Sequence, residues 1–298
     1  RHQYVDGFEF RFGVDETATL NALIADRGRA QTSVTLDGLT SDRLLPGHAA
    51  ADRVMAGVNQ CAVWIAPDLD KITDVAVRRA LGYAWPYRQL WKAQRQIEGF
   101  TVYPAATLMP PAIPGRVDYA PLGTQPGDTD PAAALRLLEE AGHERGEYQI
   151  DFAYLRSDLT GKIIASALRR AGFDAVPIAE PTSHKLDMIE KDPNSPLDIR
   201  PGFWCSDWPN GSSWVPVVFG DLGPDVDRDI ARVQALPLDQ QAAAWGALDQ
   251  TIETDYYPVI PTGHGGVTQL RGSRIGGLNL DSLLGTPTLK DVYVMPPS

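Results

Sequence analysis

Tyr148-Gln149-Ile150-Asp151-Phe152-Ala153-Tyr154, then Ile163-Ile164-Ala165-Ser166-Ala167-Leu168-Arg169-Arg170-Ala171-Gly172, then Phe173-Asp174-Ala175-Val176-Pro177-Ile178-Ala179 is the stretch that decides the fold. The first piece, Tyr148–Tyr154, reads as a strand. The second places Ile163, Ile164, Ala167, Leu168 and Ala171 at helical spacing over 160–171, and Gly172 closes it. The third, 173–179, reads as another strand. A strand, a helix and a strand with short joints predict a parallel pair joined by a right-handed crossover. Helices packed on a sheet make this a mixed α/β unit.

Upstream, Asp130-Pro131 is a cap followed by a first-turn proline. Ala134, Leu135, Leu138 and Ala141 form the apolar stripe of that helix, which Gly142 ends. Prolines 104, 110, 111, 114, 121 and 126 stiffen a long connection over 104–127. Asp74 caps a helix whose stripe is Val77, Ala80, Leu81 and Ala84, with Arg78 and Arg79 beginning its solvent face. Pro86 reads as the first residue of a second helix, 86–96. The apolar run 61–66 reads as a buried strand, 31–36 as a short strand, 16–29 as a helix ending near Gly28, and 4–14 as a strand built on Val5, Phe8, Phe10 and Phe12.

Downstream, a short helix near 182–191 and a strand near 198–204 continue the α/β pattern. Residues 208–224 are rich in turn formers. Helices follow at 225–234 and 239–254, the second with Ala242, Trp245, Leu248 and Ile252 in register. Residues 258–262 and 265–271 read as two strands, and the C-terminal stretch as turns with one short strand near 291–295.

The 298 residues carry 27 basic and 38 acidic side chains, a net charge of −11. Hydrophobic residues at 43% and charged residues at 22% describe an ordinary globular chain and exclude a coiled coil, a collagen or a disordered polyelectrolyte. The acidic balance argues against a nucleic-acid partner, which calls for clustered Lys and Arg. No apolar run reaches the length of a membrane-spanning helix. Beginning at Arg1 inside a strand-like pattern, the chain reads as a piece processed or cut from something longer.

The phosphate-binding loop, the dinucleotide fingerprint, the zincin pair and the hydrolase elbow are all missing from the sequence. His2, His48, His143, His184 and His264 are scattered without metal spacing, so neither a metal nor a cofactor is expected. His264-Gly265-Gly266 is similar to a hydrolase oxyanion loop, but a glycine turn at a strand start is the plainer reading. Glu139-Glu140 reads as a solvated helix face. Seven Trp hint at a binding cleft. Cys61 and Cys205 are the only cysteines; they form either one disulfide outside the cytoplasm or two buried thiols.

Thr73-Asp74-Val75-Ala76-Val77-Arg78-Arg79-Ala80-Leu81-Gly82-Tyr83-Ala84 resembles the signature of family 5 extracellular solute-binding proteins, the dipeptide, oligopeptide and nickel receptors of ABC importers. It departs at Trp85-Pro86-Tyr87, where the family carries Ile-Asp-Arg. Four more blocks resemble the family in order: Pro110–Gly115, Asp130–Gly142, Trp204-Cys205-Ser206-Asp207-Trp208-Pro209, and Leu238–Pro261. The resemblance implies a type II, two-lobe periplasmic-binding-protein fold, present as the C-terminal half to two-thirds of a member. On that reading 1–44 are lobe I strands and lead-in, 45–205 a nearly complete lobe II, and 206–298 the return to lobe I. It implies a receptor on the extracellular face of the membrane or in the periplasm, a monomer, held by a lipid anchor outside this chain if anchored. It captures a peptide-like solute by lobe closure and passes it to permease subunits without catalysis, and the piece alone should bind poorly.

The same resemblance makes Asp207 the ion-pair partner of a peptide α-ammonium, places Trp204 on the cleft wall and Trp208 at the lobe junction, and offers Arg200 for a ligand carboxylate. It also pairs Cys61 with Cys205 as a disulfide. Against these stand local roles: a turn cap for Asp207 and core packing for the two Trp. The alternatives in function are a nickel chelate, oligosaccharide or opine as ligand, an extracellular sensor, and a hydrolase using His264.

Overall fold

The computed structural model describes residues 4–220, 222–281 and 283–296; His2 lies outside them. In chain order the helices are α1 Glu16–Ala25, α2 Val75–Ala84, α3 Tyr87–Ala93, α4 Pro131–Glu140, α5 Thr160–Arg170, α6 Ser183–Lys191, α7 Val215–Phe219, α8 Pro224–Gln234 and α9 Leu238–Asp255. The strands are β1 Val54–Pro67, β2 Val102–Tyr103, β3 Gln149–Leu155, β4 Asp174–Glu180, β5 Ile199–Cys205, β6 Ile260–Leu270, β7 Ile275–Gly276, β8 Asn279–Asp281, β9 Thr286–Thr288 and β10 Tyr293–Val294. The sheet order is β2-β6-β1-β5, with β3-β4, β7-β10 and β8-β9 as separate pairs. The chain divides into two compact units: residues 1–60, 96–103 and 265–298 form unit 1, and 61–95 with 104–264 form unit 2.

Unit 2 contains the decisive stretch. β3 and β4 pair in parallel from Gln149↔Asp174 to Leu155↔Glu180. Ile150, Phe152, Ala165, Ala167, Leu168 and Phe173 are all buried between them and α5. Fully burying one such large apolar side chain contributes about 1.5–3 kcal/mol, so the layer is held by area rather than by any single bond. Gly161 is required where α5 crosses β3, because a Cβ there would lie 2.3 Å from the Tyr154 ring.

The caps read from sequence are present. Asp74 accepts from Ala76 N, and Asp130 accepts from Ala132 N and Ala133 N with Pro131 in the first turn. On α2 the stripe Val77, Ala80, Leu81 and Ala84 is fully buried. Arg78 departs from expectation: it is buried, not on the solvent face. Its guanidinium donates to Ile72 O, Thr73 O, Tyr256 O and Tyr257 O. A five-donor fork satisfies carbonyls left open at the exit of α9 and before α2, which periodicity does not reveal. Pro86 is the N-cap of α3 rather than its first residue, since its ψ of 57° lies outside the helix.

Unit 1 gathers Leu20, Leu23, Leu39, Leu44, Ala50 and Leu270 into one cluster. Arg53 closes the end of α1 by donating to Leu23 O and Ile24 O. α1 stops at Ala25, not near Gly28, because Asp26 takes a left-handed φ of 51°. Residues 31–36 make no strand: Gly28–Thr32 is a 3-10 turn, and Val34 forms a single bridge to Arg271. Residues 4–14 form no strand either, and Phe8, Phe10 and Phe12 are exposed. Alternation makes a strand only where a partner edge supplies hydrogen bonds.

β6 runs unbroken through His264-Gly265-Gly266, where a turn was expected. A Cβ on Gly265 would lie 2.5 Å from Asn59 Oδ1, and one on Gly266 would lie 2.1 Å from Phe100 O. These glycines allow close backbone approach within a strand. The turn-rich 208–224 also holds a short helix, α7, and three short strands precede β10 in the C-terminal stretch.

Candidate functional site

Three of the expected binding residues, Trp204, Asp207 and Trp208, gather where β5 ends, within unit 2. β5 pairs antiparallel with β1, and Cys205 lies directly opposite Cys61. The two are joined as a disulfide with a Cα–Cα distance of 4.0 Å, across a sequence separation of 144 residues. In the chain-entropy account, closing so long a loop is worth about 4–5 kcal/mol. Locally the bond clamps the last residue of β5, two positions before Asp207.

From that clamp the chain enters a compact loop tied by serines. Asp207 N donates to Ser213 Oγ at 2.8 Å. Trp204 Nε1 donates to Ser213 O at 3.0 Å, and Trp208 Nε1 to Ser212 Oγ at 2.9 Å. Fully buried Trp214 donates from Nε1 to Ser206 Oγ. Asn210 accepts from Ser212 N and so caps the 3-10 turn Gly211–Ser213. Gly211 rests on Trp245 of α9; a Cβ there would lie 2.3 Å from the Trp245 Cβ.

The turn-cap role in Asp-Trp-Pro-Asn-Gly thus belongs to Asn210. The Asp207 side chain is exposed and makes no hydrogen bond to any described residue. Trp204 is half-buried and Trp208 is 50% exposed. An exposed carboxylate on a pinned loop, with Trp204 and Trp208 close by in sequence and their N–H groups already engaged, can accept a charge-assisted hydrogen bond.

Arg200 is not part of this group. It lies five residues before Cys205 on β5, about 17 Å along an extended strand. Its Nη1 pairs with Asp68 Oδ2 at 3.3 Å. A depression of about 360 Å³ in unit 2 is lined by Pro86, Arg88, Gln89, Asp128 and Asp130 and includes none of the expected residues.

His264 is 2% exposed, and its Nε2–H donates to Thr107 O at 3.0 Å. Burial pushes its pKa down to about 4, with the Arg116 charge acting the same way. A buried, neutral imidazole committed to a backbone carbonyl has no open path to a substrate. Among the described residues no group of three or more His, Cys, Asp or Glu is placed to hold a metal ion. None of the helices among them is long and apolar enough to cross a membrane.

Sequence reasoning missed Ser206, Ser212, Ser213 and Trp214. The available signal was Asn210-Gly211-Ser212, an Asx cap before a tight turn.

The model of the family "Bacterial extracellular solute-binding proteins, family 5 Middle" matches residues 1–222, and the chain belongs to this family. No curated protein matches it. Among solved structures it is similar to a clavulanic acid biosynthesis oligopeptide binding protein 2, with a TM-score of 0.78 at 18% identity, over 95% of this chain and 56% of that one. It is also similar to the periplasmic murein tripeptide binding protein MppA in its unliganded open form, with a TM-score of 0.74 at 17% identity, over 94% and 55%. A third is the periplasmic binding protein DppA from Helicobacter pylori in complex with the peptide STSA, with a TM-score of 0.63 at 14% identity, over 95% and 56%. At these identities the likeness is one of fold. The chain spans little more than half the length of these three.

Proposed function

We propose that this chain forms part of an extracellular receptor that captures a peptide-like solute and hands it to the permease of an ABC importer, without catalysis. The observation that carries this reading is the Asp207 carboxylate, exposed and unbonded on a loop pinned by a disulfide and four serine and asparagine contacts. Asp207 pairs with the peptide α-ammonium, and Trp204 and Trp208 flank the ligand's first residue. Oligopeptide, murein tripeptide and a four-residue peptide are named for the similar structures, which supports a peptide over a sugar or chelate. A receptor of this kind works outside the cytoplasmic membrane, in the periplasm or on a lipid anchor, as a monomer.

Native mass spectrometry of the chain with a pool of di- to hexapeptides, at concentrations that reveal weak binding, tests the reading. Peptides should be retained, and Asp207→Ala should weaken them by about 10- to 100-fold, the worth of one charge-assisted bond. Retention unchanged in the variant would keep the function and remove Asp207 as anchor. Retention of sugars or metal chelates in place of peptides would overturn the peptide reading.

A further inference from the structure

On α9, Trp245, Asp249 and Glu253 follow one another at four-residue spacing and share one buried face. Asp249 and Glu253 are both fully buried. Asp249 Oδ2 accepts from the Tyr119 hydroxyl at 2.7 Å. Asp249 Oδ1, both carboxyl oxygens of Glu253 and Trp245 Nε1 have no partner among the described residues. Two buried carboxylates without a bonded cation cost far more than a fold can carry, so the pair must be neutralised.

The charged and titratable groups around the pair do not supply that neutralisation. Arg116, on the 104–127 connection, spends its donors on Met109 O, Thr107 Oγ1 and Asp118. Arg79 of α2 donates from Nη2 to Thr254 O; its Nε is also without a partner, and it makes no ion pair with either carboxyl among the described residues. The rest are phenols: Tyr119 on the connection, Tyr257 after α9, and Tyr83 and Tyr87 beside Tyr257. Two carboxyls and one phenol are too few oxygen donors for a calcium-like cation. A proton needs no further ligands.

We propose that Asp249 and Glu253 form an internal proton-binding site, and that the protons held there keep the Trp245 face of α9 seated against the loop that presents Asp207. The link is the contact of Trp245 with Gly211, one helical turn from Asp249 and two from Glu253. Burial pushes Asp249 up to about 7, although the Tyr119 hydrogen bond and the Arg116 charge oppose it. Burial, and then the Asp249 charge, raise Glu253 well above the usual carboxylate range.

The sign follows from linkage. The folded chain binds more protons than the unfolded chain between about pH 4, where free carboxyls titrate, and the raised folded values. The stability this pair contributes is therefore fully present below about pH 4 and is lost as pH rises through the raised folded values, about 7 for Asp249. Each proton lowers the folding equilibrium constant by up to about tenfold per pH unit.

Urea denaturation of the chain between pH 5 and 8 tests the site, comparing wild type with the Asp249→Asn, Glu253→Gln double variant. The variant should lose the downward slope; an equal slope in both overturns the proposal. If the variant does not fold, infrared spectroscopy of the wild type at pH 6 decides: a protonated-carboxyl band shielded from exchange is expected, and its absence overturns the proposal. Hydrogen exchange at pH 8 tests the link, with residues 206–214 better protected in Glu253→Gln than in wild type; equal protection overturns it. Only the loop's role in ligand capture rests on the proposed function. None of these readouts involves peptide, so either reading can fail alone.

Discussion

Ile150 and Phe152 on β3 are 0% and 2% exposed, whereas Phe8, Phe10 and Phe12 stand 47%, 51% and 89% exposed. Both segments alternate large apolar residues with polar ones. β3 has β4 beside it and α5 above it, all within about 30 residues of chain, and it is closed by local contacts. Residues 4–14 have no paired edge among the described residues, and unit 1 is assembled from three separated pieces of chain. A period of two states which face a strand would bury, but a ladder partner decides whether there is a strand.

Three substitutions sharpen or break that contrast. The largest effect is expected at Arg78→Met, which leaves carbonyls at both ends of its fork without their donor; a loss of about 4 kcal/mol in urea denaturation is expected. A loss under about 1 kcal/mol would mean that water replaces the guanidinium and that the contact is peripheral. Ile150→Ala should cost about 3 kcal/mol in the same assay, the usual range for a fully buried aliphatic side chain. Phe10→Ala should change stability by less than about 0.5 kcal/mol, as exposed positions do. A cost at Phe10 equal to that at Ile150 would show that 4–14 is packed in solution and would erase the distinction between the regions.

The candidate site divides in the same way. Asp207, Trp204 and Trp208 stand out in the sequence because Trp-Cys-Ser-Asp-Trp-Pro resembles a family motif. What holds them was not legible, because a serine hydroxyl or a cap acts through a hydrogen bond that carries no periodic signal. Arg200 is offered only by the resemblance, and five residues of extended strand place it about 17 Å from Cys205. Its partner Asp68 is 132 residues distant in the chain and could not be read from spacing.

The sequence alone determined the α/β alternation of unit 2, the caps at Asp74 and Asp130, the helix stripes of α2, α4 and α5, and the resemblance to family 5. These are local quantities, set by hydrogen bonds and side-chain periods within ten or so residues. Tertiary structure alone decided that Arg78 is buried, that 4–14 is not a strand, that β6 runs straight through its glycines, and that Asp249 and Glu253 are buried together. Each depends on which distant backbone or side chain arrives alongside, and a one-dimensional pattern carries no record of that neighbour.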